Sequence, residues 1–284
     1  LGETTVTVSV TDSGGLSAAE SFVVSVVDTT PPVITVDLPS PASLEAASAA
    51  FTFALVGIGL LIVGSAVAAA TWARSLNGWA LGGVSFVLSQ TAQVVALFLF
   101  GPLIAAFTSA PLQEASRAII LSTAARRVRG ERPSTAFGFG HGAIDLLTSS
   151  LIPTLSAVII LGGVGDGSIF VGLDAEVTEK VNAVAVFLTS QSLLSAVLLI
   201  VQGALMLGLH ALLTAIVLRV VVRGGGARTV GRGLLLPIAA HTPVAVVRTL
   251  FPMATTPVLL GALLVVALVY RRGQGPMAES PASQ

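Results

Sequence analysis

Polar and apolar positions alternate at the start of the chain and then give way to long apolar runs. Thr5 to Val10, TVTVSV, alternates strictly with the period of a β-strand. Ser21 to Val27, SFVVSVV, is a second β-rich run, with the turn formers of TDSGGLSAAE between the two. The pattern predicts a hairpin with a long connection. Two strands alone are marginal in water, so this head reads as part of a β-sandwich completed by strands upstream. DTTPPVITVDLPSPAS follows as a Pro-rich, extended linker.

Beyond the linker the apolar runs reach the ~20 residues that a bilayer crossing needs. They are Ala50–Trp72, Trp79 to near Phe100, Leu103 to near Ala125, Ser134 to near Leu161, a run after the polar loop GGVGDGSIFVGLDAEVTEK that continues to Val222, Gly233 to near Leu250, and Thr256–Tyr270. The fifth is long enough to hide an interfacial segment. The expected architecture is a membrane all-α body of about seven transmembrane helices, preceded by a partial β-sandwich of two strands. The boundaries follow as residues 1–35 for the sandwich fragment, 36–48 for the linker, 49–272 for the membrane domain and 273–284 for a disordered cytoplasmic tail.

Composition supports the bilayer as solvent. Only 10% of residues are charged against 54% hydrophobic, where soluble domains carry about a quarter charged. There is no cysteine, which excludes disulfides and thiolate metal sites. The chain opens on Leu1 with no signal peptide before the head, so it reads as the C-terminal portion of a longer protein. No solvated basic domain points to a nucleic acid.

Every Lys and Arg lies at Arg74 or later. Arg74 follows the first span. Arg126, Arg127, Arg129 and Arg132 separate the third from the fourth, Arg219, Arg223, Arg228 and Arg232 the fifth from the sixth, and Arg271 and Arg272 follow the seventh. Seven crossings put all four groups on one side. The positive-inside rule makes that side cytoplasmic and the head extracytoplasmic.

Ionisable groups inside lipid are costly and mark function by default. Here they are Glu114, Arg117, His141, Asp145, His210, His241 and Arg248. His141 lies nine residues after Arg132, His210 nine before Arg219 and His241 nine after Arg232. At the helical rise each stands about 13 Å above the basic ring, and Glu114 about 18 Å. Three imidazoles and a carboxylate on four helices therefore share a layer near the midplane. That donor set suits Zn²⁺, cobalt or iron. Asp145, one turn beyond His141, is placed either to orient that ring or to be a ligand itself. Taken singly, a membrane histidine is more often an interhelical hydrogen-bond partner, and Glu114 and Arg117 at i, i+3 suit mutual neutralisation. A midplane Glu/His cluster equally suits a cation pathway.

Four segments carry a resemblance: QEASR at Gln113–Arg117, FGFGHGAID at Phe137–Asp145, LHALLTAIVLR at Leu209–Arg219 and LLPIAAHTPV at Leu235–Val244. In order and spacing they resemble the YhfC family of intramembrane peptidases, related to the CAAX-protease and bacteriocin-processing superfamily. The resemblance covers residues 50 to 270. It implies peptide hydrolysis within the membrane, with a membrane-embedded or juxtamembrane peptide as substrate. It assigns catalysis to Glu114, His141 and Asp145, and a metal site to Glu114, His141, His210 and His241 supported by Arg117 and Gln113. Four positions depart from the pattern. Gln113 stands for the first acid, Gln202 for an expected Glu and Ala245 for Asn or Asp; Thr214 replaces a Ser. An amide cannot take a proton from water, so the base falls to Glu114 or Asp145, or the copy is an inactive scaffold. The head, through VTDSGGL and VVDTTPPVI, is similar to the end of immunoglobulin-like repeats of the cadherin-like and hyalin kind, which implies an extracellular ligand.

Overall fold

The computed structural model describes residues 2–11, 13–15, 17–26, 38–123, 130–222 and 227–272. The linker between 27 and 37, Arg126, Arg127, Arg129, Arg223 and the tail 273–284 lie outside the described residues. The chain forms two compact units, the N-terminal hairpin and the helical body.

In the hairpin, β1 (Gly2–Thr11) pairs antiparallel with β2 (Ser17–Val26), Gly2 opposite Val26 and Thr11 opposite Ser17. The strands run further than the apolar alternation suggests, which shortens the connection. Facing hydroxyls account for this: Thr7 with Ser21 and Thr11 with Ser17 each lie 2.8 Å apart and tie the polar face together.

The body begins with α1 (Pro41–Thr71), inside the stretch expected to be linker. Ser40 caps it by accepting from the Ser43 amide at 3.2 Å, and Pro41 stands in the first turn, where a missing N–H costs nothing. Helix formers then continue the helix into the apolar run. Next comes α2 (Leu76–Ser122), a continuous stretch of 47 residues. Straight, it would be about 70 Å long, over twice the hydrocarbon core of about 30 Å. It breaks at Gly101, whose φ of 80° and ψ of 176° only glycine adopts readily. Cross-bonds give the geometry of the break. Ser109 bonds Gln93 at 3.1 Å and Ser85 bonds Ser116 at 3.3 Å, pairs whose midpoints along the chain fall at Phe100–Gly101. The two arms are thus antiparallel.

Helix α3 (Glu131–Leu146) passes through a π-helical turn (Leu147–Leu151) into α4 (Ile152–Gly165), where Pro153 lacks an amide donor. The long fifth run divides into α5 (Ala175–Thr189), capped by Asp174, and the spanning α6 (Leu193–Val222). Helices α7 (Ala227–Leu250) and α8 (Thr255–Arg272) complete the body. Among the described residues six helical stretches are long and apolar enough to cross a membrane. The folded-back α2 supplies two crossings, in keeping with the expected seven.

Apolar side chains such as Phe98, Leu99, Phe100 and Leu264 point outward, as a lipid solvent permits. Ile58, Leu146, Leu209, Leu213 and Leu259 form the main core. The basic ends meet. The Arg132 guanidinium lies 5.7 Å from the Trp72 ring centre and that of Arg219 4.0 Å from Tyr270, whose hydroxyl donates to Glu131 at 3.1 Å. The ends of α1, α3, α6 and α8 therefore gather together, as arginine groups on one side require.

Helix α3 sits at the centre, against α1, α2 and α6. Its approach to α2 is backbone on backbone. A Cβ on Gly140 would fall 1.8 Å from the Trp79 carbonyl oxygen, and one on Gly82 would fall 1.9 Å from that of Phe137. Gly140→Ala must push the two helices apart. Thermal unfolding in detergent should show a loss of at least the 1–3 kcal/mol typical of overpacking, to order of magnitude; an unchanged midpoint would contradict the contact.

Candidate active site

Four elements bring the intramembrane polar residues together. The second arm of α2 carries Gln113, Glu114 and Arg117; α3 carries His141 and Asp145; α6 carries His210; α7 carries His241 and Arg248. Except for Arg248, whose side chain is about a third exposed, all are buried. Ring centres lie 4.9 Å apart for His141 and His210 and 5.2 Å for His210 and His241. The shared depth read along the chain is matched by lateral convergence. The glycine contact at Gly140 explains how His141 comes so close to α2.

Hydrogen bonds fix most of the ring tautomers. A guanidinium only donates, so His210 Nδ1 accepts from Arg117 Nη2 at 2.9 Å, and its Nε2–H donates to Asp145 at 3.2 Å. Gln113 donates its amide N–H to Ser109 at 3.3 Å, which leaves its oxygen to accept from His141 Nε2–H at 3.2 Å. His141 Nδ1 then accepts from Ser85 at 3.3 Å. His241 Nδ1–H donates to Glu114 Oε1 at 3.0 Å. Five of the six ring nitrogens are thus engaged. The sixth, His241 Nε2, has no hydrogen bond among the described residues.

The charges close on themselves. Glu114 pairs with Arg117 at 2.5 Å, and Asp145 takes Arg248 Nη1 at 3.2 Å from each oxygen. Two carboxylates face two guanidiniums, with His210 bridging the pairs. Removing one partner of such a buried pair typically costs about 3–5 kcal/mol.

Two departures from the family pattern fall differently. Gln113 lies within the cluster, whereas Gln202 bonds Thr256 at 2.8 Å and touches none of the histidines. Thr214, one turn beyond His210, is buried with its hydroxyl unpartnered among the described residues. Ser85, Ser109 and Gln93 belong to the same hydrogen-bonded network and escaped the sequence reading, which followed ionisable groups. A signal for them exists: Ser85, Ser89 and Gln93 recur every four residues, a polar stripe down one face of an apolar helix.

Against known families, residues 46–268 match the YhfC intramembrane metalloprotease family. The match spans most of the chain and every residue of the cluster, and the chain belongs to that family. No curated protein and no solved structure matches it.

Membership suggests a metal cofactor, and the donor types suit one. The arrangement does not fit. Among the described residues no group of three His, Asp or Glu side chains is disposed to hold an ion. The Arg117 guanidinium joins Glu114 to His210, and both nitrogens of His210 and of His141 are already committed.

An unpartnered buried hydroxyl costs stability with no return in structure. Thr214→Val, which keeps the shape and removes the oxygen, should raise the stability of the detergent-solubilised protein by about 1 kcal/mol. A lower unfolding midpoint would mean that the hydroxyl has a structural partner.

Proposed function

We propose that this protein hydrolyses peptide bonds of membrane-embedded or juxtamembrane segments, with the Glu114–His241 pair as general base. One observation carries the reading: among the described residues His241 presents a ring nitrogen free of hydrogen bonds while Glu114 holds the other nitrogen. A carboxylate behind an imidazole fixes its tautomer and stabilises the cation formed when it takes a proton. Water would lose a proton to His241 Nε2 and attack the peptide carbonyl carbon. The C–N bond then breaks as that proton passes to the departing amine, leaving a carboxylic acid and an amine.

His210 and Asp145, backed by Arg248, would stiffen the site rather than exchange protons, since both His210 nitrogens are occupied. His141 is likewise held at both nitrogens, between Ser85 and Gln113. Gln113, standing where an acid is expected, becomes an orienting group, and the burden of the base moves to Glu114. By the positive-inside rule the gathered basic helix ends are cytoplasmic, and the N-terminal strands, joined to the opposite end of α1, lie outside.

The ring spacing favours a second reading. Imidazoles bound to one zinc at 2.0–2.1 Å have ring centres about 5 Å apart, close to the separations here. In that reading Glu114, His141, His210 and His241 would hold Zn²⁺, which would require Arg117 and Gln113 to give up His210 and His141.

Purified protein reconstituted with membrane-spanning peptide substrates should cleave them, and His241→Ala should lower the rate by about 10²–10⁴-fold, the usual contribution of a general base. Cleavage that persists in His241→Ala would remove His241 from the reaction.

A further inference from the structure

Arg117 is the least accounted-for group in the cluster. It is fully buried in the membrane body, where a cation is tolerated only with dedicated partners. Its Nη1 donates to Glu114 and its Nη2 to His210. Its Nε–H is buried and has no partner among the described residues. Buried donors are nearly always satisfied, and one left open calls for a reason. The pairing with Glu114 explains the charge of Arg117 but leaves that third donor idle.

The position of the guanidinium supplies a reason. One oxygen of Glu114 holds His241 and the other holds Arg117. The side chain with the nitrogen free to take a proton and the side chain with the idle donor are therefore both held by one carboxylate. The donor groups of the cluster are meanwhile spent on one another, so no set of them stands ready for a metal cation. The Arg117 guanidinium is a positive charge the site already contains, and it is the one bonded to Glu114.

We infer that Arg117 is the electrophile of the site: its Nε–H donates to the carbonyl oxygen of the scissile peptide as that oxygen becomes an oxyanion. This rests on the reading of the protein as a peptidase. When hydroxide, formed by proton transfer to His241, adds to the carbonyl carbon, the π electrons move onto oxygen and the guanidinium meets that charge. As the C–N bond breaks, the electrons return, the contact weakens and Arg117 emerges unchanged. Arg117 thus takes the polarising role that a metal ion fills in metallopeptidases, and needs no ion to do so. Preorganised donors of this kind stabilise the transition state more than the bound substrate.

The test compares wild type, Arg117→Lys and His241→Ala, each purified in detergent after growth with added zinc, by peptide cleavage and by elemental analysis. Lysine keeps the charge beside Glu114 but has one nitrogen in place of three. Arg117→Lys should lose about 10²–10³-fold in kcat with KM little changed, the scale of a lost oxyanion donor. Wild type should carry well under one metal ion per chain and stay active in chelator. If Arg117→Lys does not fold, Arg117→Ala supplemented with millimolar methylguanidinium replaces it, and recovery of the rate is the expected result. A full rate in Arg117→Lys, no recovery with methylguanidinium, or one ion per chain whose removal stops cleavage would each overturn the role of Arg117 and leave the peptidase standing. A wild type that cleaves nothing would sink the peptidase reading, and this inference with it.

Discussion

Two ion pairs inside a bilayer-spanning bundle, Glu114 with Arg117 fully buried and Asp145 with the half-buried Arg248, organise everything else in this protein. Neither Glu114 nor Arg117 can face lipid, and neither can be buried alone. The pair fixes the second arm of α2 with its polar face inward, and the surplus donors of Arg117 and acceptors of Glu114 then demand partners from α6 and α7. His210 and His241 answer that demand. Asp145 adds the same requirement from α3 and meets it with His210 and Arg248. The helices are therefore ordered around the site by the need to neutralise and hydrogen-bond it. Interior apolar packing, weakly directional against lipid tails of similar chemistry, has less power to do so.

This division explains what the amino-acid order discloses and what it hides. Spans are legible because hydropathy acts locally, and the height of a residue along a helix is legible because rise per residue is constant. The common depth of His141, His210 and His241 follows from those two facts. Whether the rings turn toward one another depends on helix rotation and on contacts such as Gly140 against Trp79, which join residues 61 positions apart. The start of α1 at Pro41 was obscured by prolines that signal a linker and yet suit a first turn. The division of the fifth run at Thr189 lay within the polar approach to an apolar stretch. Ser85 and Gln93 were hidden by their neutrality, although their four-residue spacing carried the information.

The substitution of an amide for an acid at Gln113 has a concrete setting. Its two ends face different partners, Ser109 and His141, and only an amide presents a donor to one and an acceptor to the other. A carboxylate there would add a third negative charge to a cluster whose charges now cancel. The amide is thus matched to its surroundings.

The reversal of α2 at Gly101 has a consequence for how the site keeps its alignment. A connection of one residue leaves no slack, so the two arms are indexed to each other like the blades of a folded rule. Across the fold Gln93 meets Ser109, and Ser85 meets Ser116. One residue more on either side of the fold would turn the second arm by about 100° at 3.6 residues per turn and swing Gln113, Glu114 and Arg117 out of the cluster together. The angular setting of the chemistry is thus written at a lipid-facing tip, 13 residues from the nearest charged group along the chain, Glu114.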